Sequence, residues 1–143
     1  MKTKKIFDLI DSKAKSGLFI MVLLILLVFW SLNLDIKKIS LQIIIGELFS
    51  ILSIKLIKKI VKKKRKIKTK HSKDYAFPSS HTSSIFLLAI IMCYWTPLLG
   101  FFILPFAFFI AYSRIKLGVH DLIDVVGGAI YGILVGICML RIF

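Results

Sequence analysis

Two short segments of this chain each place a histidine beside groups suited to holding an anion. One reads PSSH over residues 78–81, and the other reads SRIKLGVHDLID over residues 113–124. His120 and Asp124 are four residues apart, which would put them on one face of a helix that begins near His120. A carboxylate in that position can fix the imidazole tautomer and raise its basicity, so the pair suits a nucleophile or a general base.

The groups beside these histidines are suited to phosphate. Pro78 favours the first turn of a helix, whose unpaired N–H groups attract anions, and hydroxyls and an imidazole follow it in the sequence. Arg114 offers a planar pair of donors that matches two phosphate oxygens. One histidine at a membrane boundary is usually only an interfacial polar residue. Two histidines, each in such a setting and each at the start of an apolar run, indicate a functional site.

A lysine-rich stretch precedes both segments. Residues 55–73 contain 11 of the 21 Lys and Arg residues in the chain. Within it Lys58 and Arg65 would project from one face, about two turns apart, if the stretch continues as a helix. So many lysines produce such a pair by chance, and a polybasic loop attracted to anionic lipid is the simpler interpretation. The stretch lacks interleaved aromatic residues, which argues against nucleic-acid binding.

The elements that must position these clusters are membrane helices. The chain has 143 residues, enough for one domain, and combines 58% hydrophobic residues with a net charge of +14. The pattern predicts an all-α integral membrane helical bundle of about five transmembrane helices. The apolar runs are 17–34, 39–61, 83–95, 98–112 and 122–140. Residues 1–16 predict an N-terminal interfacial helix or a disordered basic tail.

Several features of the runs add detail. No small-residue cleavage site follows residues 17–34, so we interpret them as a retained span and not as a signal peptide. Glu47 is costly at membrane depth without a partner, and Lys55, about two turns further on, is the candidate partner. In the last run a glycine recurs every four residues, at positions 128, 132 and 136, which predicts close packing against another helix.

The distribution of charge predicts an orientation. With five spans, the amino terminus and the two loops that carry the clusters share one side, which holds 18 of the 21 basic residues. The positive-inside rule places that side in the cytoplasm of a multi-pass cell-membrane protein. We divide the chain into a basic segment (1–16), membrane anchor helices (17–57) and a catalytic core (58–143).

Together the clusters resemble the type 2 phosphatidic acid phosphatase (PAP2) superfamily, in its membrane lipid phosphatase branch. The pattern of that family is K-x6-RP, then PSGH, then SR-x5-H-x3-D. The third element is complete here, with Ser113, Arg114, His120 and Asp124. The second element has a serine, Ser80, in place of its glycine. The resemblance covers roughly residues 58–136.

The first element of the family pattern is matched only by Lys58 and Arg65, with Lys66 in place of the proline. Because the match falls inside a lysine run, other lysines could fill the role of Lys58. The candidates are Lys59, Lys62 and Lys63.

The resemblance implies roles for the site residues. His120 would attack phosphorus and form a phosphohistidine, with Asp124 orienting it, and His81 would protonate the leaving oxygen. The remaining residues would stabilise the equatorial oxygens of the phosphoryl group: Lys58, Arg65, Ser79, the N–H of Ser80 and Arg114. The resemblance implies no metal and no cofactor, because cationic side chains supply the positive charge.

The sequence thus predicts a lipid phosphatase that acts on a phosphomonoester or a diphosphate. The candidate substrates are phosphatidic acid, phosphatidylglycerol phosphate and undecaprenyl diphosphate, and membrane lipids are the expected surroundings. Family members usually have an extracytoplasmic site, where undecaprenyl diphosphate is released, whereas the charge count here favours the cytoplasmic face. The alternative function is non-enzymatic: a polybasic membrane protein that binds anionic lipid or a partner. A haloperoxidase is a third and more remote alternative.

Overall fold

The computed structural model describes residues 34–65 and 75–143, and the regular secondary structure in these two ranges is α-helical throughout. The helices are α1 (Leu34–Val61), α2 (Ser80–Trp95), α3 (Pro97–Lys116) and α4 (Leu122–Ile142). They correspond to four of the five predicted apolar runs. The predicted interfacial segment 1–16 and almost all of the predicted span 17–34 lie outside the described residues.

Three of these helices are long and apolar enough to cross a membrane. They are the parts of α1, α3 and α4 at Ile36–Val61, Pro97–Lys116 and Leu122–Ile142. Helix α2 is apolar but has only 16 residues, so at the usual rise it is about 24 Å long against a hydrocarbon core of about 30 Å. The helix predicted there exists, and its prediction as a full span is not confirmed.

Helix α2 is the centre of the bundle, since it contacts each of the other three described helices. Its Leu87, Ala89 and Ile91 side chains are completely buried. By contrast, α3 exposes many large apolar side chains, including Phe101, Phe102 and Phe109. Apolar residues on an outer helix surface are expected where the surrounding solvent is lipid. A central helix buried by its neighbours needs no such lipid-facing surface.

The glycines of α4 allow it to approach α2 at backbone distance, which confirms the predicted packing. A Cβ atom added at Gly132 would lie 2.2 Å from the carbonyl oxygen of Ser83, and one added at Gly128 would lie 2.5 Å from that of Ser79. At Gly136 the nearest atoms belong to the Ile90 side chain, at 3.1 Å. The two helices are therefore closest toward the amino-terminal end of α2.

The carboxyl-terminal end of α1 differs from the prediction. The helix ends at Val61, and Lys62 adopts a positive φ of 50°. Its N–H donates to the carbonyl oxygen of Lys58 at 3.0 Å, which closes the last turn. The expectation that one helical face carries Lys58 and Arg65 is therefore wrong, because the chain leaves the helix axis between them.

Polar side chains join α1 to its neighbours inside the bundle. Glu47 accepts a hydrogen bond from Ser84 at 2.7 Å, and the hydroxyls of Ser50 and Ser83 are 3.0 Å apart. The partner of Glu47 thus comes from α2, and the expectation that it would be Lys55 is wrong. Lys55 is exposed on the outer surface of α1.

The glycine contacts lead to a stability prediction. Gly132→Ala should lower the free energy of unfolding by roughly 1–3 kcal/mol, because its methyl group would meet the Ser83 carbonyl and must push the two helix backbones apart. Gly136→Ala is the matched control, since its methyl group would lie 3.1 Å from the Ile90 side chain and 3.3 Å from the Leu87 carbonyl oxygen, which requires a much smaller displacement. Thermal unfolding of the two variants in the same detergent compares them. Equal losses would contradict the inferred backbone approach.

Candidate active site

The motif residues meet at one end of the bundle, where α1 and α3 end and where α2 and α4 begin. Lys58 lies in the last turn of α1, and Arg114 lies in the last turn of α3. Asp124 lies in the first turn of α4. His81 is the second residue of α2. Four chain segments that are distant in sequence thus contribute to one cluster.

A tight turn brings His120 back toward the residues before it. Helix α3 ends with Leu117 as its C-cap, and Gly118 follows with a φ of 65°, the left-handed conformation that glycine adopts without strain. The N–H of His120 then donates to the carbonyl oxygen of Arg114 at 3.3 Å. The motif separates Arg114 from His120 by five residues, which is the number that this turn needs to bring the two residues together.

Asp124 is oriented by the start of its own helix. Asp121 is the N-cap of α4, and its N–H donates to Oδ2 of Asp124 at 3.0 Å, as one half of a capping box. The same Oδ2 lies 3.7 Å from Nδ1 of His120. His120 precedes the helix and is not part of it, so the predicted shared helical face is wrong. Asp124 is nevertheless close to His120, as predicted, because the capping box turns its carboxylate toward the imidazole.

The imidazole of His120 is buried and, among the described residues, its Nδ1 has no hydrogen-bond partner. The 3.7 Å to Asp124 is too long for a hydrogen bond. Such contacts often tighten only when the substrate is bound. The atom is thus placed to donate to Asp124 once positive charge develops on the ring.

Burial lowers the pKa of His120 to about 4, and three positive charges add to this effect while Asp124 opposes it. The three cations are Arg65, Lys58 and Arg114. Because the pKa lies below the ordinary value near 6.5, the ring is neutral at neutral pH and its free nitrogen keeps its lone pair. The unfolded chain takes up this proton first, so the contribution of His120 to stability falls as the pH drops from about 6.5 toward 4.

Among the lysines of the first motif, Lys58 is the one that is buried with the histidine. Its neighbours Lys59 and Lys62 are exposed to solvent. Lys63 is only partly exposed, but it contacts carboxylates. Of the four candidates, Lys58 and not the others therefore contributes a cation beside His120.

The PSSH segment begins α2 differently from the prediction. Ser79 is the N-cap and Ser80 is the first helical residue, so Pro78 precedes the helix and does not occupy its first turn. The Ser79 side chain makes no capping hydrogen bond and instead accepts one from the Thr82 hydroxyl at 2.9 Å. Ser79 therefore keeps its own hydroxyl proton for donation, and helix geometry leaves the Ser80 N–H without an intrahelical acceptor.

The replacement of the motif glycine by Ser80 requires no unusual backbone. Among the described residues other than glycine, only Lys62 has a positive φ. Ser80 has ordinary helical geometry, which any residue adopts. The N–H of Ser79 donates to the carbonyl oxygen of Asp124 at 2.9 Å, which joins this segment to α4.

Lys63 is a site residue whose contacts the sequence did not predict. Its Nζ lies 2.6 Å from Oδ1 of Asp124 and 3.4 Å from Oδ2 of Asp121. The hydrogen bond to Asp124 raises the pKa of Lys63, so its ammonium stays charged. In the sequence Lys63 is one of many lysines, and only its position after the end of α1 distinguishes it.

The arrangement combines a neutral, buried imidazole with several cations. Its charges favour an incoming anion, and the free imidazole nitrogen can act as nucleophile or base. Within residues 34–65 and 75–143 there is no group of three or more His, Cys, Asp and Glu residues that could hold a metal ion.

Comparison with known proteins gives a consistent family. The family model described as PAP2 superfamily matches residues 59–143. Undecaprenyl-diphosphatase BcrC of Bacillus subtilis is 31% identical over 71 residues, which are 50% of this chain and 37% of that protein. A putative undecaprenyl-diphosphatase of Escherichia coli, YbjG, is 38% identical over 65 residues, 45% of this chain and 33% of that protein. The matches span about a third of the length of these curated relatives.

Two solved structures share the fold. The crystal structure of Aquifex aeolicus LpxE has a TM-score of 0.73 at 21% identity, over 97% of this chain and 86% of that one. A transmembrane PAP2-type phosphatidylglycerolphosphate phosphatase from Bacillus subtilis has a TM-score of 0.69 at 20% identity, over 99% of this chain and 75% of that one. Both likenesses extend over nearly the whole length of the chain.

The electrostatics of the cluster can be tested by titration. Lys58→Met should raise the pKa of His120 from about 4 toward 6.5, because one of the cations that oppose its protonation is removed. Lys59→Met removes the same charge from an exposed position and should leave that pKa unchanged. Nuclear magnetic resonance of histidine-labelled protein measures it, with His120→Gln to assign the signal. The same His120 pKa in both lysine variants would contradict the placement of Lys58.

Proposed function

The chain belongs to the PAP2 superfamily, and from this we propose that it is an integral membrane phosphatase that hydrolyses a lipid phosphomonoester or diphosphate. The observation that carries the proposal is the setting of His120. Its imidazole is buried, is kept neutral by its surroundings and lies 3.7 Å from a buried carboxylate. A nucleophilic histidine needs both conditions, a free lone pair at neutral pH and a carboxylate to receive its other N–H.

The geometry supports attack through Nε2. Nδ1 of His120 is turned toward Asp124, so Nε2 is the nitrogen left for phosphorus. A bond forms between Nε2 and phosphorus while the bond from phosphorus to the leaving oxygen breaks, and His81 protonates that oxygen. Water then attacks phosphorus, His81 takes a proton from it, the nitrogen–phosphorus bond breaks, and inorganic phosphate leaves.

The donors of the cluster support charge stabilisation during both steps. Two buried cations, Lys58 and Arg114, come from different helices. Arg65, the Ser79 hydroxyl and the Ser80 N–H complete the proposed phosphate-binding set. Donors placed in advance around a developing oxyanion often lower the barrier more than any other single feature. In this mechanism side chains supply the positive charge and no step uses a metal ion or a cofactor.

Undecaprenyl diphosphate is the substrate that the comparisons favour. Both matched curated relatives carry the name undecaprenyl-diphosphatase, one of them as putative. The phosphatidylglycerolphosphate phosphatase shares the fold at 20% identity. It supports phosphate release as the type of reaction but is a weaker guide to which lipid is the substrate. Hydrolysis of the diphosphate would yield undecaprenyl phosphate and inorganic phosphate.

We propose the following arrangement in the membrane. Residues 17–34 form an additional span before α1, so that the bundle has five helices, and residues 58–143 form the catalytic core. The side that carries the site holds 18 of the 21 basic residues. From this charge count we propose a cytoplasmic site in the cell membrane. This orientation opposes the extracytoplasmic face on which undecaprenyl diphosphate is released, and the labelling experiment below decides between the two faces.

Phosphate release tests the reaction. Purified full-length protein in detergent is offered phosphatidic acid, phosphatidylglycerol phosphate and undecaprenyl diphosphate in turn. We expect release from undecaprenyl diphosphate, with a loss of at least about 1,000-fold in His120→Ala, since the attacking atom is gone. Lys58→Met should lose about 100-fold through weaker stabilisation of the developing charge, and the exposed control Lys59→Met should retain activity.

The outcomes separate the two classes of function. If wild type and His120→Ala release phosphate equally from every substrate, or if neither releases any, the enzymatic proposal fails. Binding to anionic vesicles that survives His120→Ala while no phosphate is released favours the polybasic membrane protein. Circular dichroism of each variant confirms that a loss of activity is not a loss of folding.

Sidedness has a separate test. Ser72→Cys, in a chain that carries Cys93→Ser and Cys138→Ser, places one thiol in the basic segment between α1 and α2. A membrane-impermeant thiol reagent added to intact cells should not label it. Lys37→Cys in the same background, near the opposite end of α1, should be labelled. The reverse pattern would place the site outside the cytoplasm and leave the proposed reaction intact.

A further inference from the structure

Lys63 connects three parts of the candidate site. Its Nζ contacts Asp124 at 2.6 Å and Asp121 at 3.4 Å, at the start of α4. Its carbonyl oxygen accepts a hydrogen bond at 2.7 Å from the N–H of Ala76, two residues before Pro78. The residue itself follows the end of α1. Both its backbone and its side chain are therefore held by other segments.

We propose that Lys63 is a positioning residue whose ammonium group holds Oδ1 of Asp124, so that Oδ2 stays turned toward the imidazole of His120. The proposal rests on the proposed function, because it assigns a role within the same reaction. It adds a residue that the family pattern, as matched in the sequence, leaves unspecified between Lys58 and Arg65.

The contacts of the Asp124 carboxylate define what Lys63 does. Oδ2 accepts the N–H of Asp121 at 3.0 Å and lies 3.7 Å from His120. Oδ1 is held by Lys63. With one oxygen held on each side, the plane of the carboxylate is fixed. Without Lys63 only the Asp121 N–H would hold the carboxylate, so the group could turn about its last torsion angle and Oδ2 would be held less firmly toward the imidazole.

Charge gives Lys63 a second effect on His120. The side chain of Asp124 is 1% exposed and that of Lys63 is 31% exposed, so water screens the carboxylate little and the ammonium, 2.6 Å away, is a counter-charge in direct contact with it. An unshared carboxylate would draw a proton onto the neighbouring imidazole. By sharing that negative charge, Lys63 helps keep His120 neutral and nucleophilic.

The same contacts argue that Lys63 does not bind phosphate directly. Its ammonium lies between two carboxylates, and their negative charges repel an incoming anion. The groups whose charges act on the imidazole are Lys58 from α1, Arg65 after α1, Arg114 from α3 and Asp124 from α4. Helix α2 adds His81 at its second residue. Lys63 acts through Asp124, whereas Lys58 acts on the histidine and on the substrate.

The test compares three variants of full-length protein: Lys63→Met, Lys63→Arg and Lys64→Met. Lys64 is the adjacent, exposed lysine, so its variant removes the same charge without the contact. We expect Lys63→Met to lower kcat about 10-fold across the pH profile because Asp124 is less firmly oriented, and to change KM by less than about 3-fold. The acidic limb should also move up by about one unit, which adds a further loss of about 2-fold near pH 5. Lys63→Arg should restore most of kcat and the position of the limb.

A second measurement does not depend on activity. The pKa of His120, followed by magnetic resonance, should rise in Lys63→Met and stay at its wild-type value in Lys64→Met. If wild type proves inactive on every lipid, the proposed function fails, and this titration still decides whether Lys63 controls the imidazole. If Lys63→Met does not fold, Lys63→Ala replaces it, because the shorter side chain also removes the contact with Asp124.

Two results would overturn the proposal. One is a Lys63→Met or Lys63→Ala enzyme whose pH profile and His120 titration match those of Lys64→Met. The other is a Lys63→Met enzyme that binds its substrate about 10-fold more weakly while kcat and the acidic limb stay unchanged. That second result would mean that Lys63 binds the phosphate group itself.

Discussion

The burial of one carboxylate is the constraint around which this end of the protein is organised. A charged group with 1% of its side chain exposed is tolerated only when both of its oxygens have partners. Asp124 obtains them from the N-cap of its own helix and from Lys63. Its backbone carbonyl also accepts the Ser79 N–H. Satisfying this one residue therefore joins the end of α1, the start of α2 and the start of α4.

Close helix packing makes that junction rigid. The carbonyl of Ser79 lies where a side chain on Gly128 would be, and the carbonyl of Ser83 lies where one on Gly132 would be. The start of α2 thus meets the second and third turns of α4 at backbone distance. Asp124 lies one turn before Gly128, and its carbonyl oxygen accepts the Ser79 N–H at 2.9 Å. The separation of His81 and Asp124 is therefore set by backbone contacts with no flexible side chain between them.

Excess positive charge then serves two purposes at once. Burial lowers the pKa of His120 to about 4, and the same cations that would bind the phosphate group add to this effect. A nucleophilic imidazole is useful at neutral pH only if it is not already protonated. The polarity of the site thus supports binding and nucleophilicity together, while Asp124 remains close enough to stabilise the ring when it becomes positively charged.

Apolar runs and motif spacing are local properties, so the amino-acid sequence was enough to predict the helical class, four of the helices and the residues of the motifs. It also predicted that Gly128 and Gly132 lie at a helix contact. Contacts between segments that are distant in the sequence could not be predicted from these local properties. The partner of Glu47 is Ser84, and the helix expected to continue through Arg65 ends at Val61.

The lysines show the physical reason for this limit. They share one chemistry, yet in the folded chain Lys58 is buried beside His120 while Lys63 holds Asp124. Which lysine meets which group depends on where the chain turns after α1. Lys62 makes that turn with its positive φ. Because Lys62 is one lysine among many in this stretch, its residue type does not identify the position of the turn.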